Sequence, residues 1–387
     1  MPTPVRKKRV RRPKAVTAAK AVRAITKATP SLGALQGSPA KTRKSATRKP
    51  ANRSAGRKKT ATKATPAPSA IGKGTWRQAR FTGVTGSRAY RVYIPQGLRK
   101  TTGAPLLLAL HGCGQDALEF AASTRFNDLA DKHKFVVVYP EQSVTHNGQR
   151  CWNWFRTAHQ FRTQGEPAIM AGIVRRVILE TTSWRIDPGR IYVSGISAGG
   201  AMAVVLAATY PELFAAVGVH SATPYRSAAS PANALAAMQG LGSAPHMEAV
   251  ATDAMPPMIV FQGTSDGTVR SVNAQRIADQ WLAYHDHSMR GQGGANRAVA
   301  LRSRRARTSP ARPTSARSKR GYTVSRWYDG TEKVLEMWVV DGLGHAWSGG
   351  ASKFAYSDPR GPRATTEMWK FFAAHRSAAA AAAIRAG

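Results

Sequence analysis

The stretch Val193-Ser-Gly-Ile-Ser-Ala-Gly-Gly-Ala-Met202 (VSGISAGGAM) contains a G-x-S-x-G pentapeptide centred on Ser197. Such a match arises easily by chance in a chain with 34 glycines, so its surroundings decide its meaning. An apolar run, Ile191–Ser194, precedes it, and a segment of helical periodicity, Ala198–Tyr210, follows it. This order places Ser197 on a sharp turn from a strand to a helix, which lifts a serine hydroxyl clear of a sheet. We therefore predict that Ser197 is a nucleophile.

The same alternation of apolar runs and helical periodicity extends along the chain, after a predicted hairpin over Arg80–Pro95. The strand-length apolar runs are Pro105–His111, Phe135–Pro140, Ile191–Gly195, Ala215–His220, Met258–Gly263 and Leu335–Gly342. The segments of helical periodicity are Leu118–Lys132, Ala168–Thr182, Ala198–Tyr210, Ala274–Tyr284 and Thr365–His375. Apolar strands between amphipathic helices predict an α/β fold, with a mostly parallel sheet covered by helices on both faces.

The net charge of +38 is concentrated in two segments without acidic residues. Residues 1–75 contain 21 Lys and Arg, and no aromatic residue precedes Trp76. Such a segment buries too little apolar surface to offset its ordering entropy, so we predict a disordered basic tail. Residues 288–320 contain 10 Lys and Arg and interrupt the alternation, which predicts a disordered insertion. The α/β domain is therefore expected over residues 76–375, followed by an Ala-rich extension over 376–387.

The basic tail supports hypotheses about partners and location. A dense Lys and Arg tail attracts nucleic acid or another polyanion, and a solvated tail without a partner is the alternative. The tail lacks the continuous apolar run of a secretory signal. No segment of the chain approaches the roughly 20 apolar residues of a membrane span. These features favour a location in the cytoplasm or on a granule.

A nucleophilic serine requires a base, and a third group that orients the base. On a strand–serine–helix scaffold, the acid and then the histidine follow the serine along the chain, each on a loop after a later strand. Asp266 and His345 each follow a predicted strand and fit this order. Asp253 and Asp341 lie near the same strands and are alternative acids. Because Asp341 shares a loop with His345, it is the poorer orienter.

The loop His111–Asp116 (HGCGQD) follows the apolar run that comes before the first predicted helix. In this type of scaffold, that loop supplies one N–H group to the oxyanion hole. We predict the backbone N–H of Cys113 as this donor, paired with the N–H of Ala198 at the start of the helix after the nucleophile. His111 is expected to pack beneath the loop, and His220 to lie at the edge of the core.

Five blocks together resemble one family of enzymes. They are LLLALHGCGQDALEFAASTRFNDLADKHKFVVVYPEQ, RCWNWF, VSGISAGGAMAVVLAATYPELFAAVGVHS, VFQGTSDGTV, and GLGHAWSGG with the later DPRGP. In this order they resemble the polyhydroxybutyrate (PHB) depolymerase family of esterases, which is similar to the feruloyl and acetyl xylan esterases of the α/β-hydrolase superfamily. The resemblance implies that Ser197 is the nucleophile, Asp266 the acid and His345 the base, with Cys113 in the oxyanion loop. It also implies an extracellular location as the alternative.

The chain has two cysteines, Cys113 and Cys151, without metal-ligand spacing, so we expect neither a metal nor a cofactor. Both follow neighbouring strand ends, where they either form a disulfide that staples the oxyanion loop or remain reduced thiols. Trp152, Trp154 and Trp347 flank the predicted site. They are either an apolar platform for the ester substrate or part of the core and its rim.

These features predict a serine esterase that acts through an acyl-enzyme. The resemblance implies a short-chain polyhydroxyalkanoate or its oligomers as the substrate, and a feruloyl or acetyl ester of plant polysaccharide is the alternative. A hypothesis from another class is a binding protein that the basic tail tethers to nucleic acid or to a granule. The complete set of serine, acid and histidine argues against a loss of chemistry, although it is compatible with tethering.

Overall fold

The structure, a computed structural model, describes residues 67, 71–99, 103–180, 184–242, 255–292, 302–308 and 319–378, with the backbone alone at 286–292 and 302–308. The strands are β1 (Thr75–Gly83), β2 (Gly86–Ile94), β3 (Ala104–Leu110), β4 (Val136–Glu141), β5 (Ile186–Ile196), β6 (Ala216–His220), β7 (Met258–Gly263), β8 (Arg302–Thr308), β9 (Tyr322–Asp329), β10 (Glu332–Val340), β11 (Trp347–Ser348) and β12 (Ser357–Asp358). The helices are α1 (Ala117–Thr124), α2 (Phe126–His133), α3 (Gly165–Leu179), α4 (Ala198–Thr209), α5 (Pro231–Met238), α6 (Val272–Gln292) and α7 (Ala364–Ala373).

Ten strands form one sheet in the lateral order β1-β2-β4-β3-β5-β6-β7-β10-β9-β8. The six central strands, from β4 to β10 in this order, are parallel. Antiparallel strands flank them on both edges. The predicted apolar runs supply all six central strands, so the prediction of a mostly parallel sheet is confirmed. Because these strands are parallel, the loops after β5, β7 and β10 emerge at the same edge of the sheet.

Successive side chains of the central strands point to opposite faces, and both faces are covered. Leu106 and Leu108 of β3 pack in a cluster that includes residues of α3, α4 and α6. Leu107 of the same strand packs in a second cluster, with residues of α1, α2 and α7. Burial on both sides explains why these strands are apolar throughout and do not alternate. None of the described helices has the length and apolar character that a membrane crossing requires.

The predicted helix Leu118–Lys132 is two helices in the structure. The helix is interrupted at Arg125, which has a φ of 61° and donates its N–H to the carbonyl of Ala121. This left-handed conformation ends α1 and redirects the chain into α2. The apolar periodicity continues across the break because both helices pack on the same face of the sheet, so the sequence alone shows one helix.

The predicted disordered insertion over residues 288–320 is partly regular structure, which corrects that prediction. The helix α6 continues to Gln292, and β8 pairs antiparallel with β9 over its whole length. Residues 293–301 and 309–318 lie outside the described part of the chain. The strand was missed because RSRRART has no apolar alternation, and backbone hydrogen bonds to β9 hold it at the edge of the sheet.

The chain divides into two units, Met1–Thr62 and Lys63–Gly387. The first unit lies outside the described residues, as does most of the predicted tail over residues 1–75. The end of that predicted tail belongs to the folded domain, because Ile71 is buried and Gly74 donates its N–H to the Tyr93 hydroxyl at 2.7 Å. Of the predicted extension over 376–387, residues 376–378 are described, and Arg376 pairs with Asp187 at 2.8 Å.

Candidate active site

Ser197 lies on the turn between β5 and α4. Its φ of 56° and ψ of −124° fall in a region that residues other than glycine rarely adopt, and its side chain is half-buried. The turn is tight because a Cβ atom on Gly195 would overlap the backbone of Gly199, and one on Gly199 would overlap the carbonyl of Leu110. Strained backbone of this kind persists only where the surroundings require it, and it often marks an active site.

Asp266 and His345 meet on the loops after the neighbouring parallel strands β7 and β10. His345 Nδ1 lies 2.9 Å from Asp266 Oδ2. The Asp266 side chain is fully buried, whereas that of His345 is 11% exposed. Two further hydrogen bonds join these loops, because the Ser265 N–H donates to the Leu343 carbonyl at 3.0 Å and the Gly342 N–H donates to Thr264 Oγ1 at 2.8 Å.

The Asp266 carboxylate has donors on both oxygens. Thr268 and Val269 donate their backbone N–H groups to Oδ1 at 3.0 and 2.8 Å. Burial by itself raises the pKa of the carboxyl, but the hydrogen bond and charge of His345, the Val269 N–H and the Ser221 hydroxyl outweigh it and hold the pKa below its ordinary value. Asp266 is therefore an ionised acceptor, so the proton on His345 is at Nδ1 and Nε2 is the basic nitrogen.

The structure brings the predicted serine, acid and histidine to one edge of the sheet. In the described part of the chain no hydrogen bond joins Ser197 Oγ to His345, whereas His345 and Asp266 are directly bonded. Catalytic hydrogen bonds to the nucleophile are often long before substrate binds. Of the alternative acids, Asp253 lies outside the described residues. Asp341 has its backbone N–H bonded to the Gly321 carbonyl at 2.8 Å, and His345 is bonded to Asp266 instead.

The loop His111–Asp116 is held by several contacts from the segment after β4. Cys113 is joined to Cys151 by a disulfide. The Gly114 N–H donates to the Gln149 carbonyl at 2.8 Å, and Trp152 Nε1 donates to the His111 carbonyl at 3.0 Å. These contacts hold the loop in place. Its first residue lies beside the start of α4, where the Gly199 backbone packs against the His111 carbonyl.

Two N–H groups at this place are available to an incoming oxygen atom. Among the described residues, no acceptor is bonded to the N–H of Cys113. Ala198 is the first residue of α4, where an N–H has no partner inside the helix. A helix N-terminus also favours negative charge through its dipole. The arrangement can therefore stabilise an oxyanion that forms next to Ser197.

His111 is fully buried under the oxyanion loop. The Gln142 N–H donates to its Nε2 at 3.1 Å, so its Nδ1 carries the proton and donates to the Gly112 carbonyl at 2.8 Å. Burial lowers the pKa of this imidazole, which keeps it neutral. Both ring nitrogens are hydrogen-bonded to backbone groups, so His111 supports the loop.

The predicted substrate platform of tryptophans is not formed, which corrects that alternative. Trp152, Trp154 and Trp347 are 0%, 6% and 1% exposed. Trp347 Nε1 donates to Thr365 Oγ1 at 2.9 Å, and its ring packs edge-on against Phe120. Their positions in the sequence placed them near the site, but large aromatic side chains gain most by complete burial. Trp152 is bonded to the oxyanion loop and Trp347 stacks on His220, so these two rings support the site from the core.

Glu166 has a role in the site that the local sequence does not indicate. This buried carboxylate accepts a hydrogen bond from the Asn153 N–H at 2.7 Å and from Asn153 Nδ2 at 2.8 Å. Asn153 lies two residues after Cys151, so Glu166 anchors the segment that is bonded to the oxyanion loop. An isolated acidic residue in the first turn of α3 gives no signal of this contact. Among the described residues, no cluster of His, Cys, Asp and Glu could hold a metal ion.

Comparisons with known proteins match this architecture. The family described as "Esterase PHB depolymerase" matches residues 88–306, which include Cys113, Ser197 and Asp266 but not His345. The poly(3-hydroxyalkanoate) depolymerase C of Paucimonas lemoignei is 35% identical over 202 residues, 50% of this chain and 47% of the depolymerase. The feruloyl esterase B of Neurospora crassa is 31% identical over 211 residues, 51% of this chain and 70% of that esterase.

Among solved structures, an acetyl xylan esterase from Aspergillus awamori superposes with a TM-score of 0.59 at 21% identity, over 78% of this chain and 99% of that esterase. This likeness shows the fold. The chain spans about half the length of the depolymerase that it matches. The family match, in contrast, covers more than half of the present chain and includes the strand–serine–helix turn. The chain therefore belongs to the PHB depolymerase family of esterases and has the α/β-hydrolase fold.

Proposed function

We propose that the protein is a serine esterase that cleaves carboxylic esters through an acyl-enzyme. The observation that carries the proposal is the bonded pair of His345 and Asp266 at the sheet edge where the strained Ser197 turn ends β5. A serine, an oriented histidine and a buried carboxylate are the groups that acyl transfer through a serine requires.

In the first half of the reaction, Ser197 Oγ attacks the ester carbonyl carbon while His345 Nε2 takes the hydroxyl proton. Asp266 accepts a hydrogen bond from the Nδ1–H group throughout and stabilises the imidazolium that forms. The carbonyl oxygen becomes an oxyanion, to which Cys113 and Ala198 donate their backbone N–H groups. The C–O bond to the alcohol then breaks, and the imidazolium returns its proton to the departing alkoxide.

In the second half, water attacks the acyl-enzyme and gives a proton to His345 Nε2. The same two N–H groups stabilise the second oxyanion. When the bond to Ser197 Oγ breaks, the imidazolium protonates the serine and the carboxylic acid leaves. The serine proton leaves with the alcohol and a proton from water replaces it, so the cycle restores the enzyme to its starting state.

The preferred substrate in this proposal is a short-chain polyhydroxyalkanoate or its oligomers. The support is the match to a family named for PHB depolymerases and to the Paucimonas lemoignei depolymerase. A feruloyl or acetyl ester is the second candidate, because the chain covers 70% of the Neurospora crassa feruloyl esterase. The hypothesis of a binding protein tethered by its tail concerns residues 1–75, which lie almost wholly outside the described residues, and it stays a prediction.

Ser197→Ala tests the mechanism. Loss of the nucleophile leaves only the oxyanion donors and substrate binding, so we expect kcat on a short aryl ester to fall by roughly 10⁵-fold or more. The measurement is initial rates for wild type and variant on an aryl acetate, a hydroxybutyrate trimer and methyl ferulate. Undiminished hydrolysis by Ser197→Ala would end the proposed mechanism. Rapid ferulate release without cleavage of the trimer would overturn the preferred substrate in favour of the second candidate.

A further inference from the structure

His220, the last residue of β6, touches each of the three segments that carry the proposed serine, acid and histidine. The strand β6 lies between β5 and β7 in the sheet. The Ser197 N–H donates to the His220 backbone carbonyl at 2.9 Å. The side chain makes a second contact, because the Ser348 N–H donates to His220 Nε2 at 3.1 Å. Ser348 lies three residues after His345. His220 is fully buried.

The hydrogen bonds determine which ring nitrogen of His220 carries the proton. Because Nε2 accepts from Ser348, the proton is on Nδ1, which lies 3.0 Å from Ser221 Oγ. Nδ1 therefore donates to the Ser221 oxygen, and the Ser221 hydroxyl proton is free for another acceptor. The Ser221 hydroxyl is among the groups that hold the pKa of the Asp266 carboxyl below its ordinary value. His345 Nδ1 is bonded to the same carboxylate at 2.9 Å.

The backbone and the surrounding rings hold this arrangement in place. Ser221 has a φ of 49°, in the left-handed region, and donates its N–H to the Phe261 carbonyl at 2.9 Å. The His220 ring stacks on Trp347 at 5.1 Å and on Phe261 at 5.8 Å between ring centroids. This conformation strains the backbone of a residue other than glycine, so it persists only where specific contacts offset the strain.

The His220 ring is neutral, which is favourable next to the proposed base, His345. Burial, and then the nearby His345, lower the pKa of its imidazole to about 3, although Asp266 opposes this. A neutral ring can accept from Ser348 at any working pH. It also adds no positive charge next to His345, which becomes an imidazolium during each half of the reaction.

We propose that His220 and Ser221 are positioning residues of the esterase site, in which His220 ties the nucleophile turn to the His345 loop and directs the Ser221 hydroxyl onto Asp266. This proposal rests on the proposed function, because it assigns what keeps the same serine, acid and histidine in register. It also assigns a role to a buried histidine that takes no part in the acyl-transfer steps themselves.

Ser221→Ala is the first test, because it removes one hydroxyl group and keeps the fold. We expect kcat on an aryl ester to fall roughly tenfold with little change in KM, as when a hydrogen bond to a charged group is lost. The matched control is Ser227→Ala, since Ser227 is also buried but donates only to the Pro224 carbonyl at 2.8 Å. The control should lose stability at most and keep the wild-type kcat.

The pH profile of kcat/KM separates positioning from general structural support. The His345 ring faces the Asp266 carboxylate, the neutral His220 ring and the Tyr356 phenol, whose centroid is 6.2 Å away. A carboxylate with one donor fewer holds the imidazolium proton more tightly. In Ser221→Ala the acidic limb of the profile should therefore move to higher pH, whereas in Ser227→Ala it should coincide with wild type.

Two variants of His220 distinguish its contacts. His220→Gln places an amide oxygen where Nε2 accepted from Ser348, whereas His220→Asn keeps a group only near the Nδ1 position. We expect His220→Gln to retain at least tenfold more kcat than His220→Asn. If Ser221→Ala matched wild type in kcat and in pH profile, or if both His220 variants lost activity only in step with thermal stability, the positioning role would be wrong. A wild-type protein without ester hydrolysis would overturn the proposed function itself, and the positioning role with it.

Discussion

At the scale of single residues, Asp266 combines more contacts than any other side chain of the proposed site. Its buried carboxylate accepts from His345, Thr268 and Val269, so its orientation is determined from two sides. The oxygen that faces His345 must be an acceptor if the imidazole is to keep its proton on Nδ1. The chemistry of the site therefore depends on this oxygen rather than on the negative charge alone.

Asp266→Asn tests this requirement. An amide that keeps its oxygen on the Thr268 and Val269 N–H groups presents its NH₂ to His345, which moves the imidazole proton to Nε2 and leaves no base for Ser197. We expect kcat/KM near neutral pH to fall by about 10³- to 10⁴-fold. Asp341→Asn is the control, because this acid lies on the same loop as His345, and its activity should stay near that of wild type. Equal losses in both variants would contradict the assignment of Asp266.

The same variant makes a prediction about stability and pH. The folded state holds the pKa of Asp266 below its unfolded value of about 3.9. Its carboxylate thus contributes stability above that value, and the contribution is lost as the pH falls through the lower folded pKa. The free energy of unfolding, measured with denaturant at pH 7 and at decreasing acid pH, should therefore fall more steeply for wild type than for Asp266→Asn.

At the scale of secondary-structure elements, the decisive contact is the crossing of the β5–α4 turn over the end of β3. Gly199 on the first turn of α4 lies against the Leu110 and His111 carbonyls, where the oxyanion loop begins. Two parts of the site, the nucleophile and the oxyanion donors, are thereby brought together by a backbone contact with no room for a side chain. The two glycines of the pentapeptide serve this crossing.

Gly199→Ala should separate these elements. The added methyl group overlaps backbone atoms, which cannot move aside like a flexible side chain, so we expect a loss of about 3 kcal/mol in the free energy of unfolding together with a large fall in kcat. Gly148→Ala is the control, since nothing lies within 4 Å of its added Cβ. Thermal denaturation and aryl-ester rates measure both effects. A Gly199→Ala protein with wild-type stability and activity would show that the crossing is not tight.

At the scale of the whole molecule, the buried pair of Arg88 and Glu166 joins distant parts of the chain. Arg88 on β2 donates to Glu166 at the start of α3 at 2.9 Å, and the two side chains are 4% and 0% exposed. The same carboxylate also bonds Asn153 and Gln142. The N-terminal hairpin, α3 and the segment bonded to the oxyanion loop are therefore held by one charged group that has lost its water.

Glu166→Gln leaves the Arg88 charge buried without its partner, so we expect a loss of about 3–5 kcal/mol in the free energy of unfolding. Glu180→Gln is the matched control, because Glu180 pairs with Arg176 on the surface of the molecule and such pairs contribute at most about 1 kcal/mol. Urea denaturation at neutral pH measures both. Equal stability losses would mean that water reaches the Arg88 pair.

Much of the fold could be predicted because its signals are local. The apolar runs identified all six parallel strands, since a strand buried on both faces must be apolar throughout. The strand Arg302–Thr308 carries no such signal, because its neighbour β9 holds it by backbone hydrogen bonds. For a related reason, the sequence did not decide between a substrate platform and a place in the core for Trp152 and Trp347. Whether a side chain near an active-site loop faces the site or packs into the core depends on tertiary contacts, which the local sequence does not show.

The sequence by itself determined the six parallel strands, their order along the chain and the residue type at the end of each, because periodicity and turn chemistry are properties of neighbouring residues. Only the tertiary structure decided which of these ends meet. It bonded His345 to Asp266, joined Cys113 to Cys151, and placed His220 between the nucleophile turn and the His345 loop. These contacts depend on the lateral order of strands far apart in the chain, which is set when both faces of the sheet are buried together.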